Sequence, residues 1–380
     1  MLAVVSRFKW VHIDYLNALG EHFDLVVAYA GEGGIGAAQD GIHAGVRGTP
    51  IGYPQDAGNV AVRARLAEVI ANHRPDLVHV MYYNHEDLTL WVRELVGPDV
   101  PVVFECRDPI TTLVGAAPGD GYFELERRAL EASDRHIFIS EAMREYYERA
   151  HDLNLADALI IPYAFPGFTI APPQPKLSAA DGRTHIALVG TADDQLDHGR
   201  WYGDIIRSLV AQGLVVHSHF HDLEEFGVSL APYRALSEEL EGYHFHPTVP
   251  HRPGTELSEL ISRYDLMGVF HELGAGEHNE SATLAVCMPT KSVCGWLHGA
   301  IPVVCLPHYR GVIERIEEFD IGFVVDDIEE VGRVAADRAA LAAAGERALA
   351  CRHEFTTERT AERIRDFVAP LLHSPSGTSA

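Results

Sequence analysis

At 380 residues the chain exceeds one typical domain and suits two of about 150 to 200 residues each. Hydrophobic residues make up 47% of it, mean hydropathy is near zero and no apolar run approaches 18 residues, which excludes a membrane-spanning helix and predicts a soluble globular protein. Its formal charge of −25, from 55 acidic against 30 basic side chains, argues against nucleic acid or anionic lipid as a partner, though a few local basic groups and helix N-termini can still hold a diphosphate.

The N-terminal "MLAVVSRFKW" has too few apolar residues and no small-residue cleavage pattern, so it reads as a first strand and the expected compartment is the cytoplasm. Five cysteines without a CxxC pair predict reduced core thiols. Strands are predicted at 2–7, 24–30, 76–82, 100–106, 135–140 and 158–164, alternating with segments of helical periodicity such as "NVAVRARLAEVIANH" and "YFELERRALEA". Alternation of this kind builds a parallel, doubly wound sheet. Within it, "GEGGIG" at 31–36 matches the dinucleotide fingerprint G-x-G-x-x-G, but the glycine-broken stretch that follows cannot supply the required helix, so it reads as a flexible loop.

Proline and small polar residues at 168–184 mark an interdomain linker. A second alternation follows, with strands predicted at 185–191, 214–220, 243–249, 265–271, 301–307 and 321–327. The expected organisation is therefore a first Rossmann-like domain over 1–167 and a second over 185–355, followed by an amphipathic helix at 356–373. Ligands of paired sheets of this kind bind at the carboxyl ends of the strands. In "HSHFHD", His217, His219 and His221 fall on one face of a strand, and "YHFHPTVPH" adds His244, His246 and His251. Neighbours on one face stand about 7 Å apart, too far to meet on one ion unaided, so they read as ordinary polar strand residues and no metal site is expected.

Residues 288–307, "MPTKSVCGWLHGAIPVVCLP", open a helix and run into a strand. Val293, Trp296 and Leu297 keep helical spacing, Pro289 suits the first turn, Thr290 or Ser292 can cap, and Gly299 can stop the helix. The free amides of that turn and the ammonium of Lys291 would then point at one spot suited to a phosphate; the plainer alternative is a capped helix with a solvated lysine.

In order along the chain, "RPDLVHVMYYNH", "VPVVFECRDP", "EASDRHIFISEAM", "IPYAF", "ELISRYDLMGVF", "PTKSVCGWLHGAIPVV" and "RGVIERIEEFDIGFVVDD" resemble the segments of GT-B glycosyltransferases, specifically those of glycosyltransferase family 4. The resemblance implies two Rossmann-like domains, with the helix at 356–373 crossing back to the first, and transfer of a sugar from a nucleoside diphosphate to a small or soluble acceptor, with the nucleotide sugar as co-substrate and no other cofactor. It places Gly190, Thr191, Arg200, Thr248, Glu272, Thr290, Lys291 and Ser292 around the donor. His12, in the loop after the first strand, becomes the candidate base, with Asp14 near it, Arg107 and Asp108 orienting acceptor or phosphate, and His85 as a weaker candidate, while Glu272 or Glu277 would bind sugar hydroxyls. Two glutamates that the family commonly carries fall on Val286 and Cys294 here, and Arg107 stands where a histidine is frequent. The alternatives are a catalytically silent GT-B-like protein that binds nucleotide sugars or a partner, and a nucleotide-sugar epimerase. The nucleotide base, the sugar, the acceptor, the stereochemical outcome and the oligomeric state stay open.

Overall fold

A computed structural model describes residues 1–5, 10–29, 47–50, 54–82, 87–192, 201–221, 229–247, 255–270 and 278–373. The chain divides into two compact units, one of residues 1–164 with 357–380 and one of residues 165–356.

In the first unit the described residues form a seven-stranded parallel sheet. Its strands are β1 (Leu2–Val5), β2 (Val26–Tyr29), β3 (Arg47–Pro50), β4 (Val78–Tyr82), β5 (Val102–Cys106), β6 (Arg135–Phe138) and β7 (Leu159–Ile160). They lie in the order β3-β2-β1-β4-β5-β6-β7. The apolar runs become strands because helices cover both faces, so residues of either parity are buried: β1, β2 and β5 are buried along their whole length. The strand β3 lies beyond the six strands the sequence predicts. It pairs Val26 with Arg47 and Tyr29 with Pro50 at the sheet edge, held by backbone pairing without an apolar pattern, and a proline is tolerated there because an edge strand has one unpaired side. The "GEGGIG" stretch lies outside the described residues.

The helix Thr357–His373 places Ala361, Ile364 and Val368 in the core of this unit, against Leu16, Leu19 and Leu25. Arg363 donates to the Ile160 carbonyl at 2.8 Å.

The second unit carries six parallel strands among the described residues. They are β8 (His185–Gly190), β9 (Val215–Phe220), β10 (Tyr243–His246), β11 (Leu266–Val269), β12 (Val303–Cys305) and β13 (Gly322–Val324), in the order β10-β9-β8-β11-β12-β13. On one face Ile186, Leu188, Val216, Phe220, Tyr243 and Phe270 form the core. The stretch predicted as a linker is fastened to this unit: Ala171 and Gln174 donate backbone N–H groups to Ser258 and Ser262, and the Lys176 ammonium donates to the carbonyls of Ser262 and Tyr264.

Both sheets reverse direction of growth at one place, between β1 and β4 in the first and between β8 and β11 in the second. In open α/β sheets the ligand crevice lies outside the carboxyl ends of the strands at that switch.

Candidate functional site

In the second unit the switch strands carry the candidate donor residues. Gly190 ends β8 with φ +125°, a backbone conformation that side-chain-bearing residues rarely adopt, and half-buried Thr191 follows it. The chain re-enters the described residues at Trp201. Tyr202 caps the helix Gly203–Ala211, and its buried ring packs on Phe220 while its N–H donates to the Tyr233 hydroxyl. From the other side of the switch comes the helix Thr290–Val293, which continues as a π-helical turn over Cys294–Gly299. Its Lys291 ammonium donates to the Tyr202 hydroxyl at 2.7 Å. A cation thus stands between the elements that follow β8 and β11.

The local capping differs from the reading of the sequence. Pro289 is the N-cap, and Ser292 is buried, its hydroxyl donating to the Pro289 carbonyl at 2.6 Å, so it serves the turn and does not cap an amide. Thr290 is exposed. The helix ends on Ala300 in the left-handed region, not on Gly299. Gly295 faces the sheet so closely that a side chain there would meet Met267 and Val303 at about 3 Å. Cys294 and Val286, at the two glutamate positions of the resembling family, are both buried, and burial pushes the Cys294 thiol up to about 12.

In the first unit the carboxyl edge is organised by Glu105, the fourth residue of β5. Its carboxylate is 3% exposed and accepts from the Tyr15 hydroxyl at 2.7 Å and from Arg107 Nε at 2.6 Å, with His79 Nε2 of β4 at 2.9 Å. A second guanidinium nitrogen, Nη2 of Arg107, closes the ion pair. Burial alone would raise the Glu105 carboxyl, but Arg107 and His79 outweigh it and hold the group well below the usual carboxylate range. Burial likewise disfavours the Arg107 cation, and Glu105 reverses that and raises it. The guanidinium lies over the rings of Tyr163 and Tyr15, at 5.0 and 5.8 Å.

His12, read as a loop residue, lies on the first turn of the helix Trp10–Gly20 and is half-buried. It stands three positions before Tyr15, on the same helix face. Asp108 follows Arg107 and is also half-buried. The structure therefore brings His12, Arg107 and Asp108 to one edge of one sheet, with Arg107 turned back onto Glu105. Glu105 was missed because its role needs partners distant in sequence, although an acid inside "VVFEC" is itself a signal. Arg200, Thr248, Glu272, Glu277, His85 and His251 lie outside the described residues.

Two of the histidines, His217 and His219, are not ordinary polar strand residues, whereas His244 is exposed. His217 and His219 are buried on the face of the second sheet opposite its main core. Asp181 accepts from His185 Nε2, which leaves His185 Nδ1 to accept from His217 Nε2 at 2.9 Å and His217 Nδ1 to accept from His246 Nε2 at 3.2 Å. His219 bonds the Tyr264 hydroxyl at 2.7 Å and stacks on His246. Burial, joined by His244, His185, His246 and His219, pushes His217 down to about 2, and burial with His246 pushes His219 down to about 3. Among the described residues no group of three or more ligands is arranged to hold a metal ion.

Residues 13–164 match the family model described as a glycosyl transferase 4-like domain. No curated protein sequence matches the chain. Among solved structures, HepE of Anabaena with UDP bound superposes with TM-score 0.70 at 14% identity, covering 97% of this chain and 99% of that one. HepE with UDP and glucose gives TM-score 0.65 at the same identity and coverage. Sucrose-phosphate synthase of Thermosynechococcus elongatus gives 0.65 at 14% identity, covering 97% and 98%. The chain therefore has the GT-B glycosyltransferase fold, and its first unit is similar throughout most of its length to the glycosyl transferase 4-like domain.

Proposed function

We propose that the chain is a glycosyltransferase that moves a sugar from a nucleoside diphosphate, with uridine as the base to test first, to a small or soluble acceptor. One observation carries the reading: Lys291, Tyr202 and Gly190 gather at the β8–β11 switch of the second sheet, which is where this fold receives a ligand. Gly190 and Thr191 allow close backbone approach, and Lys291 supplies charge. As the bond from the anomeric carbon to the diphosphate oxygen breaks, negative charge grows on the leaving group, and a cation already held in place by Tyr202 stabilises it without reorganising. Thr290 and Ser292 shape the turn that presents Lys291. The acceptor belongs to the first unit, where His12 takes the proton of the attacking hydroxyl and Asp108 orients the acceptor.

The nucleotide sugar is a co-substrate in this scheme, which calls on no separate cofactor. No helix among the described residues is long and apolar enough to cross a membrane, and the five cysteines are unbridged, which suits the cytoplasm. Lys291→Ala, with the melting temperature unchanged, is expected to weaken UDP binding about ten- to a hundredfold in calorimetry, the worth of one charge-assisted hydrogen bond. In the wild type, UDP should raise the melting temperature more than UMP does. Equal stabilisation by the two nucleotides, or an unaltered Lys291→Ala affinity, overturns the assignment. Donor binding without transfer across a broad acceptor panel would identify a silent binding protein, the reading that the buried Cys294 and Val286 favour.

A further inference from the structure

We infer that Glu105 and Tyr15 are positioning residues, which fix the helix bearing His12 and the turn bearing Asp108 in one frame at the carboxyl edge of the first sheet. The inference rests on the proposed roles of His12 and Asp108 in transfer. Three elements converge on one buried carboxylate: the helix Trp10–Gly20 through Tyr15, the strand β4 through His79 and the turn after β5 through Arg107. Phe104 and Cys106, its neighbours along the strand, are fully buried and apolar. A buried ion pair adds little stability over apolar residues of the same shape, so packing alone gives no reason for a carboxylate here.

Direction is what the arrangement supplies. A carboxylate accepts at defined lone-pair positions, and Tyr15 and Arg107 occupy different oxygens. If the helix slides along the sheet, the Tyr15 bond breaks. If the turn after β5 rotates, the Arg107 bonds break. Arg107 also spans the two tyrosine rings, so it resists the same rotation by stacking. His12 lies one helical turn from Tyr15, and Asp108 is the next residue after Arg107. The separation of base and acceptor-orienting group is therefore set by Glu105, and displacement of a reacting group by about 1 Å costs on the order of a hundredfold in rate.

The test uses the full-length chain with Tyr15→Phe and Glu105→Gln. Tyr15→Phe removes one hydroxyl and keeps the ring beneath Arg107. It is expected to leave the donor KM within about twofold while lowering kcat about tenfold or more per folded molecule. Glu105→Gln leaves the Arg107 cation uncompensated, so the His12 imidazole, followed by NMR, should titrate lower than in the wild type. A purely structural pair would lower the melting temperature and leave both readouts alone. Wild-type kcat in Tyr15→Phe, or an unmoved His12 titration in either Glu105→Gln or the double variant Glu105→Gln/Tyr15→Phe, overturns the inference. If the wild type transfers no sugar at all, the proposed function fails. The imidazole titration still decides whether Glu105 governs His12.

Discussion

The two units share one topology and bury polar groups by opposite means. In the first, Glu105 and Arg107 remain charged because each neutralises the other. In the second, His217 and His219 remain neutral, since burial and the neighbouring imidazoles each penalise a proton. A charge pair is fragile toward loss of one partner and tolerant of pH. A neutral imidazole ladder has the converse weakness, because one added proton has nowhere to go without breaking a bond.

The largest expected effect breaks the charge pair. Arg107→Met leaves a buried carboxylate opposite apolar atoms and should destabilise the first unit by about 3–5 kcal/mol, while the double change Glu105→Gln/Arg107→Met should recover most of that loss. Chemical denaturation of the two variants measures both. Recovery of nothing would mean that Glu105 is tied chiefly by Tyr15 and His79.

The second effect is graded by pH. His217 and His219 have folded-state values depressed below the ordinary 6.5, so the unfolded chain binds more protons wherever pH lies between those values. Their contribution is complete above about pH 6.5 and is lost as pH falls toward about 3, at about 1.4 kcal/mol per pH unit for each fully depressed histidine. Glu105 is also depressed, but from a carboxylate value near 4.5, so its contribution begins to fall only below that. Hydrogen exchange at pH 7 and pH 5, corrected for intrinsic rate, should therefore show the second unit loosening first. His217→Gln should flatten the slope of stability against pH by about 1.4 kcal/mol per unit, whatever it does to stability at pH 7. Parallel slopes for variant and wild type would show that His217 takes up protons in the folded state.

The smallest effect sharpens the same contrast. Tyr264→Phe removes a neutral hydrogen bond to His219 and should cost about 1 kcal/mol at pH 7, detectable as a modest fall in melting temperature. A loss as large as that of Arg107→Met would mean the ladder is charged after all.

Most of the fold was legible because parallel strands covered on both faces write themselves as short β-branched runs; "LAVV" and "VVFEC" are examples. The strand β3 was not, since "RGTP" carries no apolar run or alternation to read. The site was legible in part. Lys291 stood out through local spacing, but its partner Tyr202 lies 89 positions away, and Tyr15 lies 90 from Glu105. Contacts of that range leave no periodicity to read. The histidine alternation was visible, yet strand spacing says only that side chains share a face. Whether that face meets water or protein is decided by the fastened stretch around Lys176 and Asp181, which lies in another part of the sequence.

Because Ile364 and Val368 fill the core that also holds Leu16 and Leu19, the unit built on residues 1–164 is incomplete until the helix Thr357–His373 has been synthesised. The unit of residues 165–356 draws on one contiguous stretch and can close first. This inverts the customary order in which N-terminal domains fold ahead of later ones. During translation the nascent first unit carries an open apolar groove through the whole synthesis of the second, so ribosome pausing or chaperone loss should harm this protein most after residue 164 and before residue 373.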